Sequence, residues 1–150
     1  MESPAPLAGM EGRWKGTNWL QVSPDQDAIT SLSRADVKIA AKGRFVVISY
    51  EWAIEQEQHD GMLVCPCQQG DMSPSAWLDS WHTPDGIMAC QSHIDGSQIL
   101  LQGSYPAPSG PDWGWKILVE TPTRKSLKIQ MTNVSPSGEE YLAVVLGYER

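Results

Sequence analysis

The chain has 150 residues, the size of one ordinary domain, which excludes an enzyme with separate cofactor and substrate lobes. Apolar residues make up 41% and charged residues 19%, so a core can close and a disordered tail is excluded. Eleven Lys and Arg against 18 Asp and Glu leave a net charge of −7 with no basic cluster, which excludes sequence-independent binding to a phosphate backbone and any nucleic-acid partner of that kind.

Residues 1–11 form a Pro-containing lead with Glu2 where a secretory signal needs a basic start, and no later run of 18 apolar residues could span a membrane. A cytoplasmic protein without a membrane partner is expected. Three cysteines, an odd number without disulfide-framework spacing, agree with a reducing compartment.

From residue 12 onward, turn signals recur at Pro24-Asp25, Lys42-Gly43, Asp60-Gly61, 70–74, Asp85-Gly86, Asp95-Gly96, 108–111, Pro122-Thr123 and Ser137-Gly138. The segments between them alternate apolar and polar residues with period two, and none carries a sustained helical period, so they predict ten antiparallel strands. In the first, Trp14, Asn18 and Leu20 share a face and Trp19 takes the other. Ser31, Ser33, Ala35 and Val37 share one face of the second, flanked by Ile29 and Ile39, and Val46, Ile48, Tyr50 and Trp52 share one in the third.

Asp-Gly pairs favour two-residue type I′ hairpins, which set register. A hairpin at Asp60-Gly61 places Ile54 opposite Cys67, Gln56 opposite Cys65 and Gln58 opposite Leu63, with Glu51, Glu55 and Glu57 outward. One at Asp85-Gly86 sets Trp81 against Cys90, Asp79 against Ser92 and Trp77 against Ile94, leaving Leu78, Ser80, His82, Gln91 and His93 outside. One at Asp95-Gly96 joins Cys90 to Leu101, Ser92 to Ile99 and Met88 to Gly103, so two turns agree on the apolar face. Trp113, Trp115, Ile117 and Val119 line up in the eighth strand, and Leu127, Ile129 and Met131 in the ninth. The tenth, 141–148, is apolar on both faces, which leaves one of them for another element or for a second copy in a homodimer.

Ten consecutive antiparallel strands with one apolar face must curl on themselves to hide it, which predicts a single all-β, up-and-down barrel over 1–150. About eight strands already enclose a space that side chains just fill, so ten leave room for a cavity unless bulky residues plug it. The composition holds seven Trp against four Tyr and one Phe, and six of the seven, all but Trp19, fall on the inward register.

Gly12-Arg13-Trp14, after the short lead and at the start of the first strand, resembles the Gly-x-Trp signature of the calycin superfamily of lipocalins, fatty-acid-binding proteins and nitrobindin-like barrels. That resemblance implies a tryptophan closing the barrel floor. The break at 69–75 after the Pro66-containing fourth strand is similar to the gap between fourth and fifth strands in the fatty-acid-binding branch, and a proline suits such an edge. The stretches Gly103-Ser104-Tyr105 and Asp112-Trp113-Gly114-Trp115 with the Tyr148-Glu149-Arg150 ending resemble a bacterial family of small lipocalin-like barrels whose function is not established. Fatty-acid-binding proteins hold their carboxylate with buried arginines and an Arg-x-Tyr ending, which here reads in the opposite order. With no inward Lys or Arg, a carboxylate in this barrel would meet an uncompensated desolvation cost of several kcal/mol. The haem of the nitrobindin branch sits on a late histidine, and no histidine follows His93, so no cofactor is expected.

Asp79, set inward between Trp77 and Trp81, is the candidate acid or base, weighed against a structural carboxylate bonded to Ser92 or to an indole N–H. Cys65 and Cys67 are too far apart along one strand for a direct disulfide, and the Cys-x₂₋₄-Cys spacing of zinc sites is missing, so no metal is expected. His59, preceding a turn, and His82 and His93, facing outward, complete no Ser-His-Asp set. The expected function is binding of a small apolar molecule, uncharged or cationic, in a Trp-lined cavity, with Asn18, Tyr50, Trp52, Asp79, Trp81, Ser92, Tyr105 and Trp115 as the ligand-binding residues. The alternatives are an enzyme working through Asp79 and a non-binding barrel that serves as an interaction module.

Overall fold

The computed structural model describes residues 7–67 and 72–150. It is a closed antiparallel barrel of ten strands: β1 (Gly12–Leu20), β2 (Ile29–Ala40), β3 (Phe45–Ile54), β4 (Glu57–Pro66), β5 (Ser73–Asp79), β6 (Met88–Asp95), β7 (Gln98–Tyr105), β8 (Trp113–Thr123), β9 (Ser126–Val134) and β10 (Glu140–Glu149). Each strand pairs with its chain neighbours, and β1 closes on β10 from Lys15↔Glu149 to Leu20↔Val144. Among the described residues no helix is long and apolar enough to cross a membrane.

The alternation places Trp14, Leu20, Val37, Ile48, Trp52, Leu63, Trp77, Leu101, Ile117, Ile129 and Leu146 in one continuous core. The registers differ from the sequence reading at three hairpins, each by an even number of residues, so Tyr50, Trp52, Cys65, Trp77, Cys90 and Leu101 keep their inward face, whereas Gln56 falls in the turn and Gln58, read as inward, is exposed. The turn between β3 and β4 is Glu55-Gln56, with φ of +50° and +68°, the left-handed pair of a type I′ turn, and Tyr50 faces Gly61. Asp60-Gly61 lies inside β4 because Gly61 makes room for the Tyr50 ring: a Cβ there would stand 2.3 Å from the Tyr50 hydroxyl. The β6–β7 turn is Gly96-Ser97, with positive φ at Gly96 alone, as in a type II′ turn, so Ser92 faces Leu101 rather than Ile99. Between β5 and β6 the chain makes a loop over 80–87, and Trp77 faces Met88 rather than Ile94.

The expected gap between β4 and β5 is not open along its length. The two strands pair from Gly61↔Asp79 to Val64↔Ala76; residues 69–71 of the expected break lie outside the described residues, and 73–75 belong to β5. Pro66 lies beyond the last of those rungs. Cys67 N–H donates to Arg44 O on the β3 side, so the proline's missing N–H falls on the side where the β5 ladder has already ended. In β10 a bulge between Leu142 and Val144 buries both Ala143 and Val144, after which Leu146 and Tyr148 point inward. Its outward Val145 stands opposite half-buried Trp19 of β1.

One end of the barrel is sealed. Leu7 and Met10 are buried, Trp14 Nε1–H donates to Met10 O at 2.9 Å, and the Arg150 guanidinium lies 4.4 Å from the Trp14 ring centroid. That same guanidinium donates to the carbonyls of Glu11 and Gly9, both at 2.6 Å, so Arg150 ties residues 9–11 across the floor. The opposite end carries the loops that follow β1, β5, β7 and β9, and there the barrel is open.

Candidate functional site

Asp79 ends β5 because its side chain takes over hydrogen bonds that a further strand residue would leave to a neighbour. Oδ1 accepts the backbone N–H groups of Trp81 at 2.8 Å and His82 at 2.9 Å, curling the chain into a turn that Thr83 closes through Asp79 N–H→Thr83 Oγ1 at 2.8 Å. Oδ2 accepts Tyr50 Oη–H at 2.7 Å and Trp52 Nε1–H at 3.1 Å from β3. Tyr50 in turn accepts Trp77 Nε1–H at 2.9 Å. Burial and the neighbouring Asp79 carboxylate hold the Tyr50 phenol well above its usual pKa, so it remains the donor. Asp79 does not face Ser92 as the sequence register had it: Ser92 pairs with Ser73, whose carbonyl accepts the Ser92 hydroxyl at 3.0 Å.

The turn after Asp79 redirects two side chains. Trp81 and His82, read above as strand residues on opposite faces, both stand over the open end. His82 lies amid indoles, with centroid distances of 4.7 Å to Trp81, 5.5 Å to Trp77 and 5.7 Å to Trp52 and Trp115. Burial lowers its pKa to about 4, the Asp79 carboxylate offsetting only part of that, so the ring is neutral near pH 7. His59 sits within β4 opposite Trp52, not before a turn; its ring centroid is 5.2 Å from that of Trp52 and its Nδ1 is 2.8 Å from Ser80 Oγ. His93 is exposed on the outer face, as its alternation implies.

Beneath His82 a chamber of about 210 Å³ opens at the barrel mouth, walled by Trp77, Trp81, Trp115, Met88, Leu20 and Ala143, with His82, Thr83, Gln21, Tyr105 and Asn133 as its polar groups. Trp77 and Trp115 stack at 5.2 Å with a 10° interplanar angle, and Tyr105 Oη–H donates to Asn133 Oδ1. Gln21, Val22, Tyr105, Asn133 and Ala143 also border an outer vestibule of about 700 Å³, where half-buried Trp113 stacks on Tyr141 and Asp25 is the one charged residue of the wall. Of the ligand-binding residues expected from sequence, Trp81, Tyr105 and Trp115 border the inner chamber. Tyr50, Trp52 and Asp79 form the hydrogen-bonded support beside it. Asn18 and Ser92 are buried in the interior away from its wall. Sequence reasoning missed His82 and Asn133. The Asp79-x-x-x-Thr83 spacing, a side-chain-capped turn, is the signal that could have brought His82 inward.

Cys65, Cys67 and Cys90 are free and buried, and burial pushes the thiols of Cys65 and Cys90 up to about 12 and about 11. Among the described residues no group of three or more His, Cys, Asp and Glu side chains is placed to hold a metal ion.

Residues 3–150 match the model of a family described as Protein of unknown function (DUF1579). The chain belongs to that family. This DUF1579 barrel is also similar to the crystal structure of Rv2717c from M. tuberculosis, with a TM-score of 0.60 at 12% identity over 96% of this chain and 94% of that one, a likeness of fold alone. No curated protein matches the sequence.

Proposed function

We propose that the protein is a calycin-type barrel of the cytoplasm that holds a small, mostly apolar molecule, uncharged or cationic, in the chamber at its mouth. The observation that carries this reading is the 210 Å³ chamber itself, a concave apolar space at one end of a barrel whose other end is sealed by Trp14 and Arg150. Indole rings form much of its wall, and among the described residues no Lys or Arg borders the chamber or the vestibule, which disfavours an anion. The Trp14 floor with its Arg150 lid supports the calycin assignment.

The alternative of acid-base chemistry at Asp79 is disfavoured by its surroundings. A carboxylate offers about four acceptor directions, and Tyr50, Trp52, Trp81 and His82 supply four donors. Native mass spectrometry of the purified protein, followed by denaturing extraction, should find a small molecule at near one-to-one stoichiometry, and apolar aromatic probes should change its Trp fluorescence. An empty protein whose fluorescence ignores a broad panel of such probes would sink the reading.

A further inference from the structure

His82 combines features that a merely structural histidine lacks. The Asp79-capped turn lifts it out of the β5 alternation and sets its ring over the chamber, edge-on to Trp81 at 88° and between Trp77 and Trp52. Among the described residues nothing donates to or accepts from its ring nitrogens, whereas the other mouth polar pair, Tyr105 and Asn133, already bond each other. A neutral imidazole offers one N–H and one lone pair. Burial keeps the ring in that form near neutral pH, and among the described residues no Asp, Glu, Lys or Arg borders the inner chamber. The chamber is about seven waters in volume, room for a compact ring system. Its indole walls suit flat faces.

We infer that His82 is the hydrogen-bonding anchor of the inner chamber and that the chamber takes a neutral, planar aromatic molecule bearing a hydroxyl or amide group. The inference rests on the binding reading above and adds the chemistry of the ligand and the residue that reads it. The hydroxyl or amide N–H of such a ligand meets the imidazole lone pair, while its rings lie against indoles. An apolar ring of the same size displaces the water that meets the imidazole nitrogens and gives them no partner in exchange, and a carboxylate finds no cation among the described residues.

Three ring-matched probes test this on the full chain by isothermal titration calorimetry at pH 7: naphthalene, 2-naphthol and 2-naphthoate. The expected order is 2-naphthol about tenfold tighter than naphthalene, with 2-naphthoate weakest. His82→Phe keeps an aromatic ring and deletes both nitrogens; it should abolish the preference, so that 2-naphthol and naphthalene bind with equal affinity. His82→Gln, which keeps a donor and an acceptor, should retain part of the preference and serves if the Phe variant does not fold. Equal affinities for naphthol and naphthalene in the unaltered protein, or a preference that survives both substitutions, would overturn the role of His82 while leaving the chamber a binding site. Binding of none of the three probes would overturn the binding reading with it.

Discussion

Replacing Asp79 by Asn tests the support of the mouth directly, because it changes one oxygen to an amide NH₂ at nearly constant volume. The carboxylate accepts two bonds on each oxygen, from Tyr50 at 2.7 Å and Trp52 at 3.1 Å on one side and from the Trp81 and His82 N–H groups at 2.8 and 2.9 Å on the other. An asparagine can satisfy one of these pairs with its oxygen; its NH₂ then confronts two donors, of which only the Tyr50 hydroxyl can rotate away. Bonds to a charged, buried acceptor contribute about 1.5 to 3 kcal/mol each, and Asp79 is 2% exposed, so losing a pair should cost about 3 to 6 kcal/mol. Urea unfolding followed by Trp fluorescence measures this as a lowered midpoint at unchanged slope. A variant within about 0.5 kcal/mol of the parent would refute the picture of Asp79 as a four-donor hub, since that is the range of an ordinary surface change.

Four further outcomes are expected. Gly16→Ala should cost several kcal/mol or prevent folding, because its Cβ would stand 1.7 Å from the Gly147 carbonyl oxygen, a backbone atom that no rotamer change can move; the yield of folded protein and its melting temperature report this. Arg150→Ala should lower stability by about 1 to 2 kcal/mol in urea unfolding and speed proteolysis of the lead, and Arg150→Lys should restore only part, since an ammonium cannot reach Gly9 O and Glu11 O together while covering Trp14. The folded pKa of His82 lies near 4 against an ordinary 6.5, so the unfolded chain binds the extra proton between those values and stability should rise with pH across that window; Asp79 and His59 are the titratable groups facing it, and urea midpoints of His82→Phe should lose part of the slope. With thiol pKa values near 12 and 11, Cys65 and Cys90 should resist iodoacetamide at pH 8 in the folded protein and react fully in urea, as read by intact mass.

Which side of each strand faces in was legible because alternation has a period of two and survives any even slip, as the three shifted hairpins show. Where the strands turn was less legible. Glu55-Gln56 adopts a left-handed pair of conformations without the Asn or Gly that usually announces one, while Asp60-Gly61, a strong hairpin signal, is strand because Gly61 is needed beneath the Tyr50 ring. The bulge that buries Ala143 beside Val144 leaves no mark in a stretch apolar on both faces. The mouth was half legible for a related reason. Trp115 and Tyr105 follow strand alternation and face inward, but His82 belongs to a turn created by the Asp79 side chain, and continuing the β5 alternation past Asp79 to the Asp85-Gly86 turn sends it outward.

The tryptophan excess has a chemical reading beyond bulk. Phenylalanine would fill comparable interior space, yet the single Phe, Phe45, is 37% exposed, and three of the deepest aromatic positions are indoles whose N–H groups are in use: Trp14 to Met10 O, Trp52 to Asp79 Oδ2, Trp77 to the Tyr50 hydroxyl. The first seals the floor, and the other two join β3 and β5 through the carboxylate that holds His82 over the chamber. These indoles act as buried donors that tie backbone and carboxylate into a fixed frame. Trp115, which borders the chamber with Trp77, differs in that its buried N–H has no partner among the described residues. An orphaned donor beside a set of satisfied ones costs stability unless water or ligand meets it. The indoles therefore differ in what they hold: Trp14 and Trp52 fix the frame, Trp77 fixes it while also walling the chamber, and Trp115 faces the chamber with its hydrogen bond unmet.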